Sequence, residues 1–296
     1  IDSSSWKWSV SGNIGVNRNE ISDLGLLPAD FGCLGERVGY YGNSLGDHFG
    51  VGHIFLAGEA PGLFYGYVTQ GIVQKEDITE NGIKYIKQDG SVGYYQTVNK
   101  TTPVAGDVKY VDRNGDGVVD DNDRDIIGNP NPDFTYGFQT KVSWKSLSLS
   151  ASFNGVQGMD ILNVGNRYNN TPGTKSNNVT RKAFQNMWTD ENPSNLYPKS
   201  TFVVQNMVMD RYVEDGSYLR CSDITLSYVL PAKWTNKIGI KNTSVYASVK
   251  NAFVITDYSG YDPEVNSFAF DGLRPGVDMN SYPTPRSFVF GLNLTF

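Results

Sequence analysis

Residues 134–144 read FTYGFQTKVSW. The even positions Phe134, Tyr136, Phe138, Thr140, Val142 and Trp144 are mostly apolar, while Thr135, Gly137, Gln139, Lys141 and Ser143 between them are small or polar. Alternation with period 2 marks a strand with two unlike faces. Past Lys145 and Ser146 it restarts as Leu147, Leu149, Ala151 and Phe153 against Ser148, Ser150, Ser152 and Asn154. Two such runs around so short a link make a long hairpin. The same alternation runs outward from this centre, in Trp6, Trp8, Val10, Ile14 and Val16, and in Ile224, Leu226, Tyr228 and Leu230. A weaker copy is Val245, Ala247 and Val249, and the last segment repeats it in Phe288, Phe290, Leu292, Leu294 and Phe296.

These strands run to about ten residues, longer than the five or six usual in globular sheets and close to what a tilted membrane strand requires. A soluble sheet with one wet face would carry many Lys and Glu on that face, to discourage edge pairing. Here the polar positions are mostly Ser, Thr, Asn and Gly, which suit a barrel interior, and aromatic residues at strand ends suit interfacial girdles. The connections agree: Lys145–Ser146 and Pro231 to Asn242 are short, whereas Gly155 to Ser217 and Asn251 to Thr284 are long and rich in Asn, Pro and Tyr. Short turns on one side and long loops on the other are the habit of outer-membrane barrels. The expected fold is therefore all-β, part of a large antiparallel transmembrane β-barrel with long extracellular loops. Residues 17–132 resist this parse, because Gly-rich loops alternate there with short apolar runs such as His53 to Ala57 and Ile83 to Ile86.

Composition narrows the function. Gly 32, Pro 13 and 13% aromatics disfavour long helices in a chain of 296 residues. A formal charge of −6 gives no basic stripe for nucleic acid. Mean hydropathy is −0.37, and the absence of a run of about 18 apolar residues excludes a membrane-spanning helix. It does not exclude a barrel, whose strands are half polar. Cys33 and Cys221 fit neither a disulfide scaffold nor a CxxC motif; they either pair through the fold or stay free thiols. Ile1 to Trp8 shows no initiator Met and no signal-peptide pattern, which implies a removed signal or an internal piece of a longer chain. Thr180 to Trp188 can form a short helix with Ala183, Phe184, Met187 and Trp188 on one side, packed inside its loop.

One stretch carries metal chemistry. DRNGDGVVDDND places Asp112, Asn114, Asp116, Val118, Asp120 and Asp123 at positions 1, 3, 5, 7, 9 and 12 of a calcium-type loop, with Gly117 at the sharp turn. Asp123 at the last position resembles the dockerin form. The expectation is a structural Ca²⁺ site within residues 112–123; the alternative is a solvated acidic turn. No catalytic constellation is present. His48 and His53 have no useful spacing, GxSxG and P-loop motifs are absent, and Glu214, Asp215 and Glu264 would form a glycosidase pair only if the fold joined them.

Six segments together resemble the C-terminal barrel portion of SusC/RagA-type TonB-linked outer-membrane transporters of Bacteroidetes. They are GLFYGYVTQGIVQ (Gly62 to Gln74), GDVKYVDRNGDGVVDDNDRDIIGNPNPDFTYGF (Gly106 to Phe138), FNGVQGMDILN (Phe153 to Asn163), RYVEDGSYLRCSDITLSYVLP (Arg211 to Pro231), KNAFVITDYSGYDPEVN (Lys250 to Asn266) and SYPTPRSFVFGLNLTF (Ser281 to Phe296). They lie in the family's order over nearly the whole chain. Full-length members are several times longer, and neither their N-terminal plug nor their TonB-contacting segment is recognisable here.

The resemblance implies a protein of the Gram-negative outer membrane, embedded in its lipid, that imports glycan or peptide oligomers. It implies a SusD-like surface lipoprotein as lid, and the TonB complex met through the missing N-terminal part. This chain, residues 1–296, would supply barrel wall and outer loops, with Gln139, Lys141, Asn154 and Thr225 facing the lumen. Tyr65, Tyr67, Tyr168, Tyr258, Tyr261 and Tyr282 are the candidate contacts for substrate or lid, since flat rings stack on sugars at low entropic cost. Phe288, Phe290, Leu292, Leu294 and Phe296 look like the signal read by outer-membrane insertases, which implies an authentic C-terminus. Two other readings compete, a secreted calcium- and carbohydrate-binding β module and a glycoside hydrolase.

Overall fold

A computed structural model describes residues 5–25, 33–34, 37–45, 50–171, 178–200, 207–235, 240, 242–264 and 266–295. Six long strands form one sheet: β1 (Trp6–Gly15), β2 (Phe134–Trp144), β3 (Leu147–Gln157), β4 (Tyr218–Val229), β5 (Asn242–Thr256) and β6 (Ser287–Thr295). They pair in chain order, and every pair is antiparallel. The hairpin read from the sequence closes at Lys145, whose φ of 52° takes the left-handed region that so tight a turn demands. No helix among the described residues is long and apolar enough to cross a membrane, which says nothing of strands.

The register sorts the side chains into two faces. Trp6, Trp8 and Val10 stand opposite Trp144, Val142 and Thr140, and these face Leu147, Leu149 and Ala151. The row continues through Tyr228, Leu226 and Ile224 to Val245, Ala247 and Val249, and ends on Leu292, Phe290 and Phe288. This apolar face is open across the sheet, with Ile14 at 69% and Phe290 at 79% exposure. An apolar patch spanning six strands far exceeds what soluble monomers leave uncovered, and it fits a wall solvated by lipid. Trp6 stacks on Trp144 at 5.8 Å, and Lys145 lies 5.2 Å from the Trp144 ring, giving the turn end an aromatic and cationic border.

The opposite face carries Ser9, Ser11, Gln139, Lys141, Ser150, Ser152, Asn154, Thr225 and Ser248. All four lumen-facing residues expected from the sequence stand on it. Asp223 is paired there with Lys250 at 2.7 Å and accepts hydrogen bonds from the Thr225 and Ser248 hydroxyls. Ser222 bulges out of β4, and the β4–β5 register shifts opposite it. One extra residue inverts the parity of a strand. Cys221 therefore joins Ile224 on the apolar face, and Arg220 and Tyr218 turn to the polar one.

All three long connections leave the end of the sheet opposite the Lys145 turn. They are residues 16–133, 158–217 and 257–286. Rather than splaying, they fold into one cap with a common core. Phe64, Tyr67, Ile72, Tyr85, Tyr95 and Tyr110 come from the first, Leu162, Val164, Trp188, Met209 and Tyr212 from the second, and Val277 from the third. Strand Asp160–Asn163 pairs antiparallel with Val213–Asp215 and parallel with Val277–Asp278, binding the second connection to the third. Gly66 lets the first approach the second: a Cβ there would stand 2.4 Å from the Val208 carbonyl oxygen. The helix expected near Thr180 is present as Arg181–Asn186, N-capped by the Thr180 hydroxyl. Ala183 and Trp188 are buried as expected, but Phe184 is 62% exposed, so the anticipated four-residue face is incomplete.

Candidate functional site

The cap and the adjoining polar face of the wall hold the functional candidates. In the acidic segment the calcium-type spacing is realised as a chain of carboxylate-to-amide bonds. Asp112 accepts from Gly115 N at 2.6 Å and Gly117 N at 2.9 Å, and both glycines have left-handed φ. Asp116 accepts from Val118 N, Asn114 from Asp116 N, and Asp120 from Asn122 N, each at 2.8 Å. Asp123 closes the loop by accepting from Arg113 N, Asn114 N and Asp120 N. Asp112 and Asp123 are buried. Burial, aided by Asp112 nearby, pushes the Asp123 carboxyl above its ordinary range, against the pull of those amides. Tyr85 donates to the Asp112 carbonyl at 2.6 Å and Tyr67 to the Asp121 carboxylate at 3.0 Å, fixing the loop on the cap core. Among the described residues no three His, Cys, Asp or Glu side chains converge in an arrangement that would hold a metal. The carboxylates of the loop accept from its own backbone amides.

The aromatic candidates divide. Tyr65, Tyr67 and Tyr258 are buried, a correction to their expected role as substrate or lid contacts. Tyr65 stacks on Tyr41 beneath the Arg124 guanidinium, 4.3 Å from its ring, and Tyr258 donates to buried Asp278 at 2.7 Å. The rings of Tyr65 and Tyr67 are cap core because their short strand, Leu63–Tyr67, is buried along its whole length. Tyr261 and Tyr282 are open, at 71% and 88% exposure, and so is Phe270, which the sequence reading passed over. The side chain of Tyr168 lies outside the described residues, as do Phe296 and His48. Phe288, Phe290, Leu292 and Leu294 occupy the apolar face of β6.

The carboxylates weighed as a catalytic pair are engaged elsewhere. Glu214 accepts from Ser259 N, the Ser259 hydroxyl and the Asn163 amide. Glu264 accepts from the Tyr218 hydroxyl at 2.6 Å and the Asn154 amide at 3.0 Å. Cys221 is buried and free, and the Cys33 side chain is outside the described residues.

No protein-family model matches the chain. Individual relatives do. TonB-dependent receptor P26 of Formosa agariphila is 29% identical over all of this chain and 28% of its own length. TonB-dependent receptor P3 of the same organism is 30% identical over all of this chain and 27% of its own length. TonB-dependent receptor SusC of Bacteroides thetaiotaomicron is 34% identical over 63% of this chain and 17% of its own length. Among solved structures, the RagAB peptide transporter superposes on the whole chain and 28% of its own, with a TM-score of 0.67 and 23% identity. The chain thus spans under a third of the length of these relatives. Likeness of this extent makes the wall and its cap part of the barrel of a TonB-dependent receptor. Within that class the chain is similar to receptors of the SusC/RagA type. Receptors of this family are outer-membrane proteins, and the relatives matched are receptors and a transporter rather than enzymes.

Proposed function

We propose that this chain is the wall and outer cap of an importer of oligomeric nutrients, driven through TonB and working with a SusD-like surface lipoprotein. The observation that carries the proposal is the likeness along the whole chain to TonB-dependent receptors, joined to a sheet with one lipid-type face and one neutral polar face. The polar face gives a passing oligomer mostly hydroxyls and amides, with Lys141 and the paired Asp223 and Lys250 as its charges. Tyr261, Tyr282 and Phe270 would be the rings that stack on a sugar or meet the lipoprotein; their exposure on the third connection supports this. A secreted β module would have to cover the apolar face of six strands, and the cap lies at one end of it. The test is made on the full-length receptor in cells. Deleting its gene should abolish energy-dependent uptake of fluorescent oligosaccharides or oligopeptides, and the receptor should purify from the outer membrane with a lipoprotein. Recovery of the receptor from the culture fluid without detergent would refute the reading.

A structural role for residues 112–123 with calcium as their ligand is a second proposal. Its support is the oxygen-donor spacing, with Gly117 in the left-handed region at the sharp turn.

A further inference from the structure

Arg220 stands on the polar face of β4, opposite Asn154 of β3, because of the bulge at Ser222. Its side chain is 6% exposed and bonds Asp262, which is 4% exposed. Its Nε lies 2.8 Å from a Glu264 oxygen, an ion pair too bent to be a hydrogen bond. Glu264 also receives the Tyr218 hydroxyl and the Asn154 amide, so it is held by three residues of the same face. Asp262 accepts from Glu264 N at 2.9 Å and from Thr284 N at 3.1 Å, tying the segment to the approach of β6. Residues 262–264 therefore lie across β3 and β4 on the pore side, pinned by one buried guanidinium. A buried charge that would lose its partner resists local opening.

Beside this strap the wall carries a broad, open recess. A recess of about 680 Å³ is lined by Ser11, Asn13, Gln139, Ser152, Asn154 and Tyr218, the last two shared with the strap. Gly137 gives it depth, since a Cβ there would stand 2.9 Å from the Asn13 side chain. No charged side chain lines it, and the carboxylates at its edge are held by Arg220.

We propose that this recess is a subsite for an uncharged, hydrogen-bonding stretch of the imported oligomer, with residues 262–264 as its rim and Arg220 as the residue that positions the rim. The proposal rests on the import reading. Its test uses the full-length receptor in cells. With Ser152→Cys in place, adding Arg220→Met should speed labelling of the introduced thiol by an uncharged external maleimide about tenfold, through freer opening of the strap. The shape-conserving Glu264→Gln should speed it severalfold, and equal rates in all three receptors would overturn the strap. Uptake is then measured for neutral maltohexaose and a neutral Ala/Ser oligopeptide beside a sulfated glycan and a Glu-rich peptide. Ser152→Trp should raise KM for the neutral probe about tenfold and leave the maximal rate unchanged, as expected for lost binding alone. An unchanged KM, or uptake of the charged probes only, would overturn the subsite. If the unmodified receptor takes up none of the four, the import reading fails and the subsite with it, while the labelling rates still decide the strap.

Discussion

Acidification should loosen the cap through His53. This residue is fully buried in the short strand His53–Leu56; its Nε2 is 2.9 Å from the Pro275 carbonyl and its ring meets Phe64 edge-on at 5.3 Å. Nε2–H donates to that carbonyl in the neutral ring, which leaves Nδ1 buried without a partner. Protonation would place a charge there. Burial above all, helped by the Arg274 charge, pushes the His53 pKa down from 6.5 to about 4, despite the Pro275 bond and Asp271. Between those two values the open state binds the proton and the closed state does not, so closed-state stability rises with pH and is lost as pH falls. From pH 7 to pH 5 the loss is about 2 kcal/mol, a factor of about 20 in the opening equilibrium. Hydrogen exchange on the full-length receptor measures it: protection of the amides of His53–Leu56 and Leu63–Tyr67, corrected for intrinsic rates, should fall by that factor. His53→Gln, which can still donate to Pro275, should remove the dependence. Equal protection at both pH values, or the same fall in His53→Gln, would refute the reasoning.

On the pore side Tyr246 lies over Gly291, where a Cβ would stand 2.2 Å from the ring, so Gly291→Leu should displace it. The expected cost of about 1–3 kcal/mol should lower the temperature at which the barrel loses its folded mobility on SDS gels, and Tyr246→Ala should restore part of it. In the acidic loop, Asp112→Ala should lower the cap's unfolding midpoint with or without calcium, because two buried-side amides lose their acceptor at about 1–3 kcal/mol. Asp116→Ala, at an exposed position, should lower it only in calcium; equal midpoints for the unmodified receptor in calcium and in chelator would remove the metal.

The wall was legible because its strands have unlike faces, so period 2 was written in Phe134–Trp144 and its neighbours. The cap was not, since strands such as Leu63–Tyr67 are buried on both sides and show no alternation. The same burial misled the choice of Tyr65, Tyr67 and Tyr258: abundant loop tyrosines suggested a binding surface, yet these fill the core. Arg220 was missed for a different reason. Parity extended backward from Ile224 puts it on the lipid side, and only the bulge at Ser222 reverses that. An arginine in that frame, together with two acidic residues in the following connection, was the available sign that the frame is broken.

The cap's main core, shared by all three connections, has a consequence for assembly. It joins residues as far apart as Leu45 and Val277, from the first connection to the third. No one connection can bury its tyrosines and methionines alone. In an outer-membrane barrel with these connections outside, each would cross as open chain and wait, with apolar groups exposed, until the hairpins beside it are placed. The outer surface would thus be the last part to become ordered, and damage to any one of the three connections would be felt by the other two.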